Sequence, residues 1–359
     1  MRDYDSIRGT NYAPSYAPDA HTAWTHFDEE QVEFELMLAQ SLGFNSVRLW
    51  PSSEAYFADR IRFVRVFDRY LDLCEKYGLT ALPVLFNSCG VDHRAAAPKV
   101  KSVSEFFVDF QNDSRYPEDF RKEWCTKLAP YIHRVGPHVR CDASGGLFGL
   151  LWERWLSNPG YAELHDPARR RFHPYVDAIV DAHGNDERII AWDIMNEPEW
   201  VDRFMCDYDE KLPDEFARYY CEYVLEKGCG VPVTVGCSTL DRSLQFVDCV
   251  DLISFHCYLP GDALRHELAR GKKAGNDCSK PVLLTECLQG PGFFNGDQIS
   301  DEGYVSWLKR DYPIVAESKI GWYQFCLMVG HAPFSYAGLF YPNGVRRPPA
   351  ALLASLMAD

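Results

Sequence analysis

The sequence predicts a (β/α)8 barrel, and three observations lead there. Short apolar runs alternate with longer amphipathic stretches along most of the 359 residues. Eight of those runs have strand length, and helical spacing follows them in turn. Repeated βα units imply a parallel sheet, and eight of them suggest a sheet closed on itself. An open doubly wound sheet is the alternative. The first strand is not followed by a glycine-rich phosphate fingerprint, which weighs against the nucleotide-binding version of that alternative.

The elements follow in order. Residues 6–12, SIRGTNY, carry the first strand. Residues 28–42 have helical spacing with Asp28 at the N-cap position, and Gly43 ends that helix. The second strand is FNSVRLW at 44–50, then a helix spans 58–77, and Gly78 turns the chain into LTALPVLF at 79–86. The rhythm breaks over 88–165, too long for a loop without structure of its own. Helical pieces are expected near 102–111 and 117–134, before the glycine-rich ASGGLFGLLWERW. The alternation then resumes with helix 167–183, strand 188–195, helix 213–228 and strand 231–237. A short helix near 239–247, strand 251–257, helix 262–275 and strand 281–286 come next. Helix 300–317, strand 320–327 and a last helix, 348–357, complete the barrel. We therefore expect one catalytic domain over 1–359, with 88–165 inserted as a cap above the strand C-termini.

Composition narrows the function. Apolar residues make up 47 % and charged residues 25 %, as in ordinary globular proteins. The formal net charge of −15 argues against nucleic acid or an anionic membrane as partner, because both need a basic surface. No stretch approaches the length of a membrane helix. The 13 cysteines form neither a CxxC pair nor a cluster with His at zinc spacing, so no metal or other cofactor is expected. Several of them, Cys237, Cys257, Cys287 and Cys326, sit in apolar runs and read as buried free thiols. With no apolar signal core in MRDYDSIRGTNY, a cytoplasmic location is expected.

In a barrel the informative residues are the polar ones at strand C-termini. Asn11 and Tyr12 close the first strand, Arg48 and Trp50 the second, Asn87 the third, Asn196 and Glu197 the fourth. His256 and Tyr258 close the sixth, Glu286 the seventh, Trp322 and Gln324 the eighth. Singly, each has a bland explanation: a strand-end Glu is a solvated cap, an Arg pairs with a surface acid, a Trp is core. Together on one rim they are harder to explain that way. Two carboxyls facing one mouth suit glycosidic bond cleavage, which needs one acid for the leaving oxygen and one carboxylate at the anomeric carbon. Arg48 and the Tyr258 hydroxyl are expected to keep Glu286 ionised. Partial burial beside Pro198 and Trp200 is expected to favour the protonated form of Glu197. Asn196 can donate to a sugar hydroxyl, and Trp322 offers an apolar face to a sugar ring.

These residues resemble clan A of the glycoside hydrolases, most closely family 5, the cellulase, mannanase and β-glucosidase type. The resemblance rests on Arg48, the segments WDIMNEP, SFHCY and PVLLTE in that order and spacing, and Trp322. The tail GLFYPNGVRRPPAALL also resembles the stretch that follows strand eight in this clan. The resemblance covers nearly the whole barrel but not 88–165. It implies that Glu197 is the acid/base, Glu286 the nucleophile and the mechanism retaining. It further implies that Arg48, His256 and Tyr258 orient the two acids, with Asn196 beside them, while Trp322 lines the sugar site. Family members commonly carry a His after the third strand; here Phe86-Asn87-Ser88-Cys89 stands there, and His93 is the nearest His. The expected substrate is a small glycoside or oligosaccharide, cleaved from its end by a β-glucosidase or β-mannosidase. An arabinofuranosidase or galactofuranosidase is a further variant. A secreted endo-acting cellulase or mannanase is the enzymatic rival, and a non-catalytic sugar-binding barrel is the rival of another class. A cap over 88–165, with Trp124, Trp152 and Trp155, would close the groove and favour the exo-acting form.

Overall fold

Eight parallel strands close on one another in the order β1-β8-β7-β6-β5-β4-β3-β2. They are β1 (Arg8–Asn11), β2 (Ser46–Leu49), β3 (Thr80–Phe86), β4 (Trp192–Asn196), β5 (Val233–Cys237), β6 (Ile253–His256), β7 (Val282–Cys287) and β8 (Gly321–Gln324). Each falls on a predicted run, because a strand buried on both faces shows in sequence as a short apolar burst. Arg8 opposite Trp322 and Thr10 opposite Gln324 close the ring. The fold is the predicted (β/α)8 barrel.

The computed structural model describes residues 3–17, 20–87, 99–102, 138–141, 163–200, 211–289, 300–329 and 337–358, with 108, 111–112, 118, 122 and 159 besides. Most of the expected cap therefore lies outside the described residues, as do His93, Trp124, Trp152 and Trp155. Within that span, 99–102 and 138–141 pair as two antiparallel strands.

Around the barrel run α1 (Ala20–Thr25), α2 (Glu29–Ser41), α3 (Ser53–Ala58), α4 (Arg60–Lys76) and α5 (His173–His183). They are followed by α6 (Lys211–Glu226), α7 (Leu240–Ser243), α8 (Gly261–Cys278), α9 (Asp301–Ser318) and α10 (Pro348–Ala358). Asp28 caps α2 as expected, accepting from the Gln31 amide at 3.1 Å. The helix expected over 58–77 is α4, and the short α3 ahead of it was not foreseen. Asp59 is extended between them and caps α4 through the Arg62 amide at 2.9 Å. Gly43 and Gly78 turn helix into strand with φ of 93° and 65°, a left-handed region that favours glycine.

Two apolar layers hold this together. The larger lies between strands and helices. The smaller fills the lumen at the strand N-termini with Tyr4, Ile7, Leu82, Ile190, Ala191, Leu252, Leu283 and Tyr323. Above that plug the lumen turns polar.

Candidate active site

The polar layer is built around Arg48. It points inward from β2 and is fully buried. Its Nε and Nη2 donate to Asp193 Oδ2 at 3.0 and 2.8 Å. Nη2 also donates to Asn196 Oδ1 at 2.8 Å, and Nη1 donates to Asn11 Oδ1 at 3.1 Å and Glu286 Oε1 at 2.6 Å. Each guanidinium N–H thus has an acceptor, the condition for burying this group. Burial alone would lower the Arg48 pKa, but Asp193 and Glu286 hold it above its ordinary value.

Glu286 is nearly buried on β7. Tyr258 donates to its Oε2 at 2.5 Å, on the side opposite Arg48. Burial first, then Glu286, push the Tyr258 hydroxyl well above its ordinary pKa, so Tyr258 remains a donor. His256 lies beside Glu286 on the neighbouring strand β6. Its Nδ1 is 2.6 Å from Glu197 Oε1 and 3.5 Å from Glu286 Oε2. Burial pulls the His256 pKa down to about 4, so the ring is neutral near pH 7 and meets Glu197 through a hydrogen bond. One oxygen of Glu197 and one of Glu286 lie within 4.8 Å of each other, with His256 between them. The Glu197 side chain keeps 17 % of its surface exposed against 8 % for Glu286. Glu197 therefore lies nearer the open mouth.

Bulges aim these side chains. Along β4, Asp193 faces inward and strict alternation would turn Met195 inward next. Instead the register against β5 shifts between Asp193 and Asn196, and Asn196 arrives beside Arg48. Along β7, Leu283 faces the lumen, and an extra residue against β6 between Leu284 and Glu286 brings Glu286 to the same face. Asn196 also donates to Asn87 Oδ1 at 3.2 Å, which ties the ends of β3 and β4 together. Trp50 lies with its ring 4.7 Å from the Arg48 guanidinium carbon, a cation–π contact at the rim of the site.

The structure thus gathers Arg48, Trp50, Asn196, Glu197, His256, Tyr258 and Glu286, together with Asn11 and Asn87. Trp322 is corrected. It sits two residues before the end of β8 and faces outward, its ring against Phe44 at 6.2 Å and Tyr312 at 5.9 Å. It is core, not sugar platform. Phe325, partly exposed just past β8, is the aromatic at that strand end. Tyr12 and Gln324 also turn away, the first donating to Glu35 at 2.8 Å and the second to Tyr304 at 2.9 Å. Two buried acids close to the site were not foreseen. Asp193 accepts from Arg48 and from the Gly236 amide at 2.9 Å. Its signal was an acid inside an apolar strand, which needs a buried cation. Glu199 accepts from the Ser238 amide at 2.5 Å.

Glu197, His256 and Glu286 also form the one set among the described residues whose donor atoms converge closely enough for a metal ion. Arg48, 2.6 Å from Glu286, already supplies positive charge there.

No protein-family model matches the sequence, and no curated protein matches it. Solved structures do. A GH5_18 variant from Streptomyces cattleya, in complex with Manβ1-4GlcNAc, is 14 % identical with a TM-score of 0.60 over 98 % of this chain and 80 % of that one. The exo-β-1,4-mannosidase Op5Man5 from Opitutaceae bacterium strain TAV5 is 18 % identical with a TM-score of 0.61 over 100 % of this chain and 61 % of that one. A mutant glycoside hydrolase family 5 mannosidase from Rhizomucor miehei, in complex with mannosyl-fructose, is 13 % identical with a TM-score of 0.55 over 98 % of this chain and 92 % of that one. The chain has the fold of these family 5 glycoside hydrolases.

Proposed function

We propose that this chain is a retaining β-glycosidase that removes a terminal sugar from a small glycoside, with β-mannosides as the preferred substrates. One observation carries the chemistry: the carboxyls of Glu197 and Glu286 face each other across the barrel mouth with oxygens within 4.8 Å. Retaining enzymes hold their two carboxyls about 5–5.5 Å apart, and inverting ones hold them about 6.5–9.5 Å apart to admit a water. Glu286, held by Arg48 and Tyr258, attacks the anomeric carbon. Glu197, steadied by His256, protonates the departing oxygen. A glycosyl ester on Glu286 results. Glu197 then takes a proton from water, which attacks the same carbon and frees the carboxylate.

Mannose is favoured over glucose by the likeness to structures named as mannosidases or solved with mannose-containing ligands. Exo-action is supported by the same likeness and by the insertion expected over 88–165. We also infer a reducing, cytoplasmic setting, which suits the nine free thiols found among the described residues.

The test is covalent trapping. A 2-deoxy-2-fluoro-β-mannosyl fluoride should inactivate the protein with one label, and peptide mapping should find it on Glu286. A label on Glu197 or Glu199 would reverse the assignment. A panel of aryl β-glycosides should show the mannoside turned over fastest; faster turnover of the glucoside would make this a β-glucosidase.

A further inference from the structure

The acid/base sits on an unusual turn. Glu197 has φ of 43°, in the left-handed region that a non-glycine residue seldom occupies. Such a backbone persists only where its surroundings fix it. Two bonds to the end of β5 do so. The Glu197 amide donates to the Gly236 carbonyl at 2.7 Å, and two residues on, the Ser238 amide donates to Glu199 Oε1 at 2.5 Å. The segments 197–199 and 236–238 thus run side by side, joined at both ends. Glu199 is 5 % exposed in the 3-10 turn Pro198–Trp200.

We infer that Glu199 is a positioning residue for the acid/base: its carboxyl clamps the turn that carries Glu197 and places a second negative charge beside it. This rests on the reading of Glu197 as the acid/base and deepens it. The charged and titratable groups around Glu199 come from four directions. Glu197 shares its turn, Cys237 ends β5, His256 ends β6, and Arg242 stands on α7. Arg242 is spent on Asp214 of α6, with contacts of 2.5 and 2.7 Å. His256 is neutral near pH 7. The dominant charge facing Glu199 is therefore Glu197. Burial, then Glu197, hold the Glu199 pKa above the usual carboxylate range, so the two acids titrate as a pair. The coupling is mutual, so a charge on either carboxyl favours the protonated form of the other. The alkaline limit of catalysis moves up.

Two substitutions separate the clamp from the charge. E199Q keeps an oxygen for the Ser238 amide and loses the charge. E199D keeps the charge but withdraws it by one methylene from that amide. Rates are read against pH with an aryl β-mannoside of poor leaving ability, and labelling at Glu286 is followed in parallel. E199Q should move the basic limb down by about one pH unit, roughly tenfold in rate on the alkaline flank, with the acid limb in place. E199D should lower the rate at every pH by up to about 10²-fold, because the acid is misplaced. A basic limb unmoved in E199Q, in protein that still labels at Glu286, overturns the inference and leaves the glycosidase standing. Wild type that neither turns over nor labels overturns the glycosidase instead. Should E199Q not fold, 13C-carboxyl titration of wild type decides: coupled steps at Glu197 and Glu199 are expected, and independent single steps overturn the pairing.

Discussion

Arg48 shows what a single residue can carry. Its N–H groups are shared among Asp193, Asn196, Asn11 and Glu286, so one side chain fixes the ends of four strands. Sequence alone marked Arg48, Glu197, His256, Tyr258 and Glu286, because polar residues closing apolar runs stand out. It could not assign partners, since Arg48 and Glu286 are 238 residues apart and meet only when the barrel closes. The acid role proposed for Glu197 has a direct check. Glu197→Ala should slow cleavage of glycosides with poor leaving groups by about 10²–10⁴-fold. Substrates with strongly acidic leaving groups should be spared in the first step; equal damage to both would remove Glu197 from that role. His256 gives a stability prediction. Its native pKa of about 4 lies below the ordinary 6.5, so the unfolded chain takes up the proton first as pH falls. Stability is lost between about pH 6.5 and 4, by ~3 kcal/mol from this group, and levels off below. Urea midpoints measured across that window should fall less steeply in His256→Asn than in wild type. Parallel curves would show that another group sets the slope.

At the scale of elements, the strands were legible and their irregularities were not. Apolar runs report where a strand lies, but a bulge adds a single residue and leaves no mark in composition. The bulges in β4 and β7 reverse the facing of everything after them, which is why alternation cannot be carried from Asp193 to Asn196. Trp322 was misplaced for a related reason: its strand was found, but its distance from the strand end was not. The short α3 ahead of the expected helix was likewise invisible to periodicity, since six residues are too few to show a helical period. Gly236 on β5 offers a test of how closely these elements meet. A Cβ there would lie 2.7 Å from Arg48 Nη2 and 2.8 Å from Asp193 Oδ2, a contact real side chains do not make. Gly236→Ala should push the Arg48–Asp193 pair aside, costing about 1–3 kcal/mol of stability and loosening the hold on Glu286. Both a lower melting temperature and slower labelling of Glu286 are expected. A variant with wild-type melting and labelling would show that the pair has room to move.

Over the whole molecule, eight locally encoded βα units made the architecture the most legible property, because each unit announces itself within a few tens of residues. The polar layer above the lumen plug is the opposite case. It exists only through contacts between strands distant in sequence, so Asp193 and Glu199 surfaced only with the structure. The cysteines join the two levels. Apolar context predicted Cys237, Cys257, Cys287 and Cys326 to be buried thiols, and they are buried and free. Burial raises their pKa values, with Cys257 pushed up to about 11 and Cys74 and Cys326 to about 12. Only the thiolate reacts with an alkylating agent, so in the folded protein near pH 7 these three should react very slowly. Unfolding removes the burial and returns them to ordinary reactivity. Intact mass after alkylation in denaturant, without reductant, should then count 13 modified thiols. A brief pulse on native protein should leave Cys74, Cys257 and Cys326 unmodified. A count short of 13 by two or more pairs would mean native disulfides, which persist in oxidising compartments. That result would move the protein outside the cell and restore the endo-acting, polymer-degrading enzyme as the better reading.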